Sequence, residues 1–222
     1  MALHLYFHPL SSFCWKALIA LYETETAFEP HIVDLSKPAE RAAFAKLWPI
    51  GKFPVLRDGA KDLTIPESSI IIEYLAEHHP GRTQLIPADA NQRREVRLSD
   101  RFYDLYLHLP MQKAVGDRLR PAGKKDPQGV DDAKAQMQTT LGMIDAAMVD
   151  KTWATGDAFT MADCAAAPAL FYANKVMPFG ETHGNVARYL ERLMNRSSFA
   201  RVIEEAKPYF GMFPRDSGET PA

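Results

Sequence analysis

The first eighty or so residues mix two hydrophobic periodicities, and the rest of the chain keeps only one. Leu3, Leu5 and Phe7 alternate with His4, Tyr6 and His8, a period of two that suits a short strand. Pro9-Leu10-Ser11-Ser12 breaks that pattern, and from Phe13 the apolar residues recur at helical spacing as Phe13, Ala17, Ala20 and Leu21. Ser11 or Ser12 supplies the hydroxyl that a helix N-terminus needs for its orphan N–H groups. Phe28 to Val33 reads as a second strand, weakened by Pro30, and Pro38 to Leu47 as a short helix. Phe53–Arg57 and Lys61–Ile65 flank Asp58-Gly59, a hairpin turn pair. Ser68 then opens a helix carrying Ile71, Ile72, Leu75 and Ala76, which ends near His79-Pro80-Gly81.

The order strand, helix, strand, helix, strand, strand, helix resembles a thioredoxin-like domain, a βαβ unit followed by a hairpin and one more helix. Pro80, Gly81 and Pro87 mark a linker. Beyond it no strand alternation is visible. Helices are expected over 91–115, 131–149, 160–176, 186–195 and 198–206, with the Gly/Pro/Lys cluster at 121–127 as an inter-helix loop. The expected fold class is therefore α+β: residues 1–79 thioredoxin-like (βαβαββα), 80–89 a linker, and 90–222 all-helical. The tail from Asp216 to Ala222 is polar and reads as frayed.

Composition removes several function classes. The 222 residues are 46% hydrophobic and 24% charged, which supports a folded core rather than disorder. A net charge of −2 shows no basic footprint for nucleic acid or an anionic membrane. No run of about 20 apolar residues spans a membrane, and the N-terminus has no secretory signal pattern. The two cysteines, Cys14 and Cys164, form no disulfide framework and fit a reducing, cytoplasmic setting. His78 and His79 are adjacent at a helix end, the other histidines lack ligand spacing, and no metal is expected.

Four segments, in this order, resemble the cytosolic glutathione S-transferases over nearly the whole chain: Ser11-Ser12-Phe13-Cys14-Trp15-Lys16, Trp48-Pro49-Ile50-Gly51-Lys52-Phe53-Pro54-Val55, Pro66-Glu67-Ser68, and Phe159-Thr160-Met161-Ala162-Asp163. The first is similar to the serine-type active-site segment of zeta- and theta-like members. The resemblance implies an enzyme that joins glutathione, as co-substrate, to small hydrophobic electrophiles in detoxification, and that works as a homodimer. The zeta pattern carries a second basic residue on this helix where the chain has Ala17-Leu18, so a general conjugating enzyme fits better than a maleylacetoacetate isomerase. A ligand carrier of the same fold, or a glutathione-dependent reductase or peroxidase using Cys14, are the other readings.

The resemblance also assigns residues. Ser11, Ser12 and Cys14 are the candidates for activating the thiol. A cysteine-like thiol titrates near 8.5, and lowering that by two units takes about 2.7 kcal/mol of preference for the anion. A donated hydroxyl hydrogen bond together with a helix N-terminus supplies that order. Phe53-Pro54, expected to be cis by resemblance, offers a strand edge to an extended peptide, and Lys37 and Lys52 offer charge to its glycyl carboxylate. Glu67 suits the ammonium, and Ser68 the carboxylate, of the γ-glutamyl group. Leu10, Phe13, Tyr103, Tyr106, Leu107, Met111 and the late Phe210–Phe213 cluster are the expected electrophile pocket. Thr160 and Asp163 read as a structural capping box, with Phe159 and Cys164 as its hydrophobic staple.

Overall fold

The computed structural model describes residues 3–214, so the expectation for the tail from Asp216 lies outside the described residues. Four strands, β1 (Leu3–Phe7), β2 (Phe28–Ile32), β3 (Val55–Asp58) and β4 (Leu63–Pro66), form one sheet in the order β2-β1-β3-β4. β1 pairs parallel with β2 and antiparallel with β3, which pairs antiparallel with β4. The helices α1 (Ser12–Glu23), α2 (Pro38–Leu47) and α3 (Ser68–His78) complete a thioredoxin-like half. Leu3, Leu5 and Phe7 are buried on one face of β1, as their alternation requires. On the other face Tyr6 packs toward Phe44 of α2.

The hairpin differs from the expected tight turn. Asp58 and Leu63 are the last paired residues, leaving a four-residue loop in place of an Asp58-Gly59 turn. Asp58 is 3% exposed and accepts from the Ala60 N–H at 2.8 Å and the Tyr74 hydroxyl at 2.6 Å. Its carboxylate thus organises the loop from inside, with Asp62 in the left-handed region at φ 54°.

The α1 helix is buried on nearly every side, not on one face. Cys14, Trp15, Ala17, Ile19, Ala20 and Leu21 are all fully enclosed, because α1 lies between the sheet with α3 and the helical half. Trp15 donates its indole N–H to the Pro9 carbonyl at 2.5 Å and packs among Phe171, Tyr172, Phe199 and Phe210. At the end of α1, Glu23 takes a two-pronged ion pair from Arg196, 2.6 Å on each prong, plus the Thr83 and Ser198 hydroxyls. The linker approaches here so closely that a Cβ on Gly81 would sit 1.9 Å from the Thr24 carbonyl oxygen.

The helical half runs through α4 (Ala90–Phe102), a π-helical segment (Tyr103–His108), α5 (Leu109–Arg118), α6 (Pro127–Ala147), α7 (Met161–Val176), α8 (Gly184–Met194) and α9 (Ser197–Ala206). A 3-10 turn over Lys207–Met212 follows. The α6 helix starts four residues before the periodicity suggests, because Asp126 caps it by accepting from the Gly129 N–H and Pro127 takes its first turn. The α7 helix is the core of this half: it packs against α1, and its alanines from Ala162 to Ala173 are fully buried. At its start Asp163 accepts from the Thr160 N–H at 2.8 Å, the Ala154 N–H at 2.8 Å and the Tyr189 hydroxyl at 2.6 Å.

Two expected outcomes follow from these buried carboxylates. Asp163→Ala leaves several enclosed donors without an acceptor, each worth about 1–3 kcal/mol. Denaturant unfolding is expected to show a loss of about 3 kcal/mol or more. For Glu23, burial alone raises the carboxyl, but Arg196, Ser198 and Thr83 outweigh it and hold it below the ordinary glutamate value. Its stabilising contribution is therefore present above about pH 4.3 and lost as pH falls through the folded value. Thermal unfolding of Glu23→Gln across pH 3–6 is expected to show a flatter acid limb than the unmodified chain.

Candidate functional site

Behind the C-terminal end of β1 the chain builds two cavities that meet at Phe53. The first, about 490 Å3, is lined by Trp48, Lys52, Phe53, Pro54, Glu67 and Ser68 of the sheet half and by Arg97, Arg101 and Asp104 of the helical half. Five residues predicted to hold the peptide thus share one cleft. Phe53-Pro54 is cis. The Phe53 N–H and C=O lie outside the strand ladders and have no backbone partner among the described residues. Glu67 sits at φ 70°, a conformation an L-residue holds only when its surroundings fix it. It follows β4 at the N-cap position of α3 but its side chain makes no capping hydrogen bond, so the first turn of α3 opens onto the cleft beside the Ser68 hydroxyl. Lys37 does not join them: it is exposed at the start of α2 and paired with Glu40 at 2.9 Å.

The cleft floor is an enclosed charge cluster. Lys16, fully buried on α1, lies 2.6 Å from Asp100 and 2.7 Å from Asp104, and donates to Ser69 at 2.8 Å. Ser69 in turn donates to Asp100 at 2.7 Å. Burial pushes the Asp104 carboxyl above the usual range, with Lys16 pulling it back and Asp100 adding to the rise. Asp100, Asp104 and His108 stand four residues apart, a spacing that drifts by about 40° per step around an α-helix. The π-helical segment takes up that drift, which is why the helix expected to run unbroken over 91–115 is widened at Tyr103–His108. His108 is enclosed, stacked on Phe13 at 4.1 Å and hydrogen-bonded to the Ser12 hydroxyl. Burial, helped by Lys16, pushes its imidazole down to about 3, so it is neutral.

The second cavity, about 550 Å3, is lined by His8, Leu10, Ser11, Ser12, Phe53, Met111, Tyr172 and Phe213, with Val115 and Leu119 along one side. Its walls are mostly apolar, as a site for small hydrophobic molecules requires. Ser11 is the N-cap of α1, yet its side chain makes no capping hydrogen bond, and it is partly exposed. Ser12 is buried and engaged with His108. Cys14 is enclosed, and burial pushes its thiol up to about 12 against the pull of Ser11 and a His8 backbone contact.

Several residues predicted for this pocket lie elsewhere. Tyr103 and Leu107 are core residues, Tyr103 being turned toward Tyr189 and Asp163. Tyr106 is 49% exposed and lines neither cavity. Phe210 packs on Trp15 and Phe171 while its neighbours Met212 and Phe213 reach the cavity. Phe13 lines the first cavity instead. The periodicity gave no hint of Tyr172, which donates its hydroxyl to the Leu10 carbonyl at 2.9 Å and stacks on Phe213. Its polar tip in an apolar α7 was the available signal.

A thioredoxin-like half with a peptide-sized cleft, closed by an all-helical half, defines the class to which this chain belongs. Two family profiles match it, "Glutathione S-transferase, N-terminal domain" over residues 5–83 and "Glutathione S-transferase, C-terminal domain" over 127–192, between them more than half of the chain. A glutathione S-transferase-like protein from a Fusarium species is 32% identical over 151 residues, 68% of this chain and 66% of that protein. The Escherichia coli glutathione S-transferase GstB is 24% identical over 189 residues, 85% of this chain and 91% of its own. A solved glutathione S-transferase from Methylobacillus flagellatus, with glutathione bound, shares the fold with a TM-score of 0.83 at 24% identity, covering 90% of this chain and 98% of that one. The chain belongs to the glutathione S-transferase family, a family of transferases.

The burial of both cysteines predicts their behaviour. In the native protein at pH 7.5 neither Cys14 nor Cys164 is expected to react with a thiol reagent within the time in which the denatured chain exposes both. Mass spectrometry after timed alkylation checks this.

Proposed function

We propose that this chain conjugates the thiolate of glutathione to small hydrophobic electrophiles, as a serine-type enzyme in which Ser11 donates the hydrogen bond. The observation that carries this reading is the junction of the two cavities at Phe53, one peptide-sized and lined by several charged side chains, the other lined by no Asp, Glu, Lys or Arg among the described residues, with Ser11 on the wall of the second. In this reading glutathione lies along Lys52, Phe53 and Pro54, its glycyl carboxylate near Lys52 and its γ-glutamyl group at Glu67 and Ser68. That places its sulfur toward the start of α1, where the Ser11 hydroxyl and the positive end of the helix favour the anion. The electrophile enters beside Leu10, Met111, Tyr172 and Phe213. Holding both reactants side by side supplies the rest of the rate gain.

The Ser11 assignment draws on what its rivals are doing. Ser12 has its hydroxyl engaged by His108, and the Cys14 thiol is kept protonated by burial, which also weakens the reductase reading. The proposal extends to a division at 1–79, 80–89 and 90–222, to detoxification in the cytoplasm, and to a homodimer, expectations that come with the family.

Steady-state kinetics with glutathione and an aromatic halide test it. Ser11→Ala is expected to lower kcat by at least about tenfold, or about 1.4 kcal/mol. The glutathione KM is expected to stay within about twofold, because the hydroxyl acts on the sulfur rather than on the γ-glutamyl or glycyl ends. The pH at which bound thiol ionises is expected to rise in the same variant. An unchanged rate and pH profile would remove Ser11 from the chemistry.

A further inference from the structure

The first and second strands carry a cluster that the transferase chemistry does not use. In the parallel register His4 stands beside Glu29 and Tyr6 beside His31, so all four side chains emerge on the same face of the sheet. Three of them converge. His4 Nδ1 is 3.0 Å from His31 Nε2 and 3.3 Å from Glu29 Oε2, and His31 Nε2 is 3.3 Å from Glu29 Oε1. His4 and Glu29 are the second residues of β1 and β2 and His31 the fourth of β2, and none of the three lines either of the two cavities described above.

We propose that His4, Glu29 and His31 form a binding site for a divalent zinc-type ion. A tetrahedral zinc ion with bonds of about 2.0–2.1 Å holds its ligand atoms about 3.3 Å apart. The two imidazole nitrogens already stand close to that spacing, and Glu29 brings one carboxylate oxygen to 3.3 Å from each of them, so one ligand atom from each residue lies within 4.8 Å of the others. Two imidazoles and one carboxylate select zinc and its neighbours among the first-row ions, whereas magnesium and calcium take oxygen ligands. The site is built on strands, and Tyr6 stacks on the His31 ring at 4.7 Å and 14°, which holds that imidazole in its orientation. The three side chains are partly exposed, so ions reach them and water completes the coordination. Bound metal ties the edge strand β2, which contains Pro30, to the central β1 and thereby stabilises the folded sheet. This proposal is independent of the transferase reading.

Isothermal titration of the full chain with zinc chloride, alongside thermal unfolding, tests it. One ion per chain with micromolar affinity and a higher Tm with zinc but not with magnesium are expected. His4→Ala and His31→Ala are each expected to weaken zinc binding at least about tenfold, and Glu29→Gln to weaken it less. The double variant His78→Ala/His79→Ala serves as the control and is expected to bind as the unmodified chain does. Cobalt chloride is expected to give the strong visible absorption of a four-coordinate site, lost in His31→Ala. The lack of a one-to-one zinc complex would overturn the proposal. So would zinc binding that survives His4→Ala/His31→Ala in a chain with unchanged circular dichroism.

Discussion

A fully enclosed ammonium on the first helix governs how the two halves of this protein fit together. Lys16 cannot stay charged inside the molecule unless carboxylates come to it. Both that do, Asp100 and Asp104, belong to the helix after the linker. Ser69 of α3 closes the circuit by bonding to Lys16 and to Asp100 at once. One side chain thus fixes α1, α3 and the α4–α5 helix against each other, and the floor of the first cavity is the place where they meet. Removing one partner of such a group leaves an unpaired buried charge, typically a loss of about 3–5 kcal/mol. The arrangement works as a registration device at least as much as a source of stability.

The same burial sorts the polar groups around the head of α1 by accessibility. Three potential thiol activators lie within one turn of each other, and their surroundings differ sharply. Ser12 faces inward to a neutral imidazole, Cys14 is enclosed, and Ser11 stands partly exposed at the cavity wall, its side chain hydrogen-bonded to the Cys14 thiol rather than to the helix it precedes. Sequence order alone cannot separate them, because adjacent helix-entry residues point in different directions and only the packing decides which direction is solvent.

What could be read from the chain beforehand was whatever local chemistry determines. The alternation in β1, the span of α2 and the Thr160–Asp163 start of α7 all follow from spacing and capping, which act within a few residues. What escaped depends on distant partners. The π-helical widening answers a lysine almost ninety positions earlier in the chain. Tyr103 and Leu107 look like pocket residues on a helical wheel, yet α7 covers them. Asp58 marks a turn in either reading, but the longer loop exists because its carboxylate is drawn to Tyr74 of a later helix. The His4–Glu29–His31 cluster is invisible to ligand-spacing rules because it is assembled across two strands, with a helix between them in sequence.

The contact between Gly81 and the Thr24 carbonyl bears on how such two-part enzymes exchange modules. A linker rich in proline and glycine looks like the natural place to splice a foreign helical half onto this sheet half. At residue 81, however, the backbone of the connecting segment rests directly on the end of α1, with no room for even one methyl group. A viable crossover must lie downstream of that point, and any donor sequence that supplies a side chain there would push the incoming module away from its dock. The most permissive-looking stretch of the chain is in this respect the least negotiable for recombination.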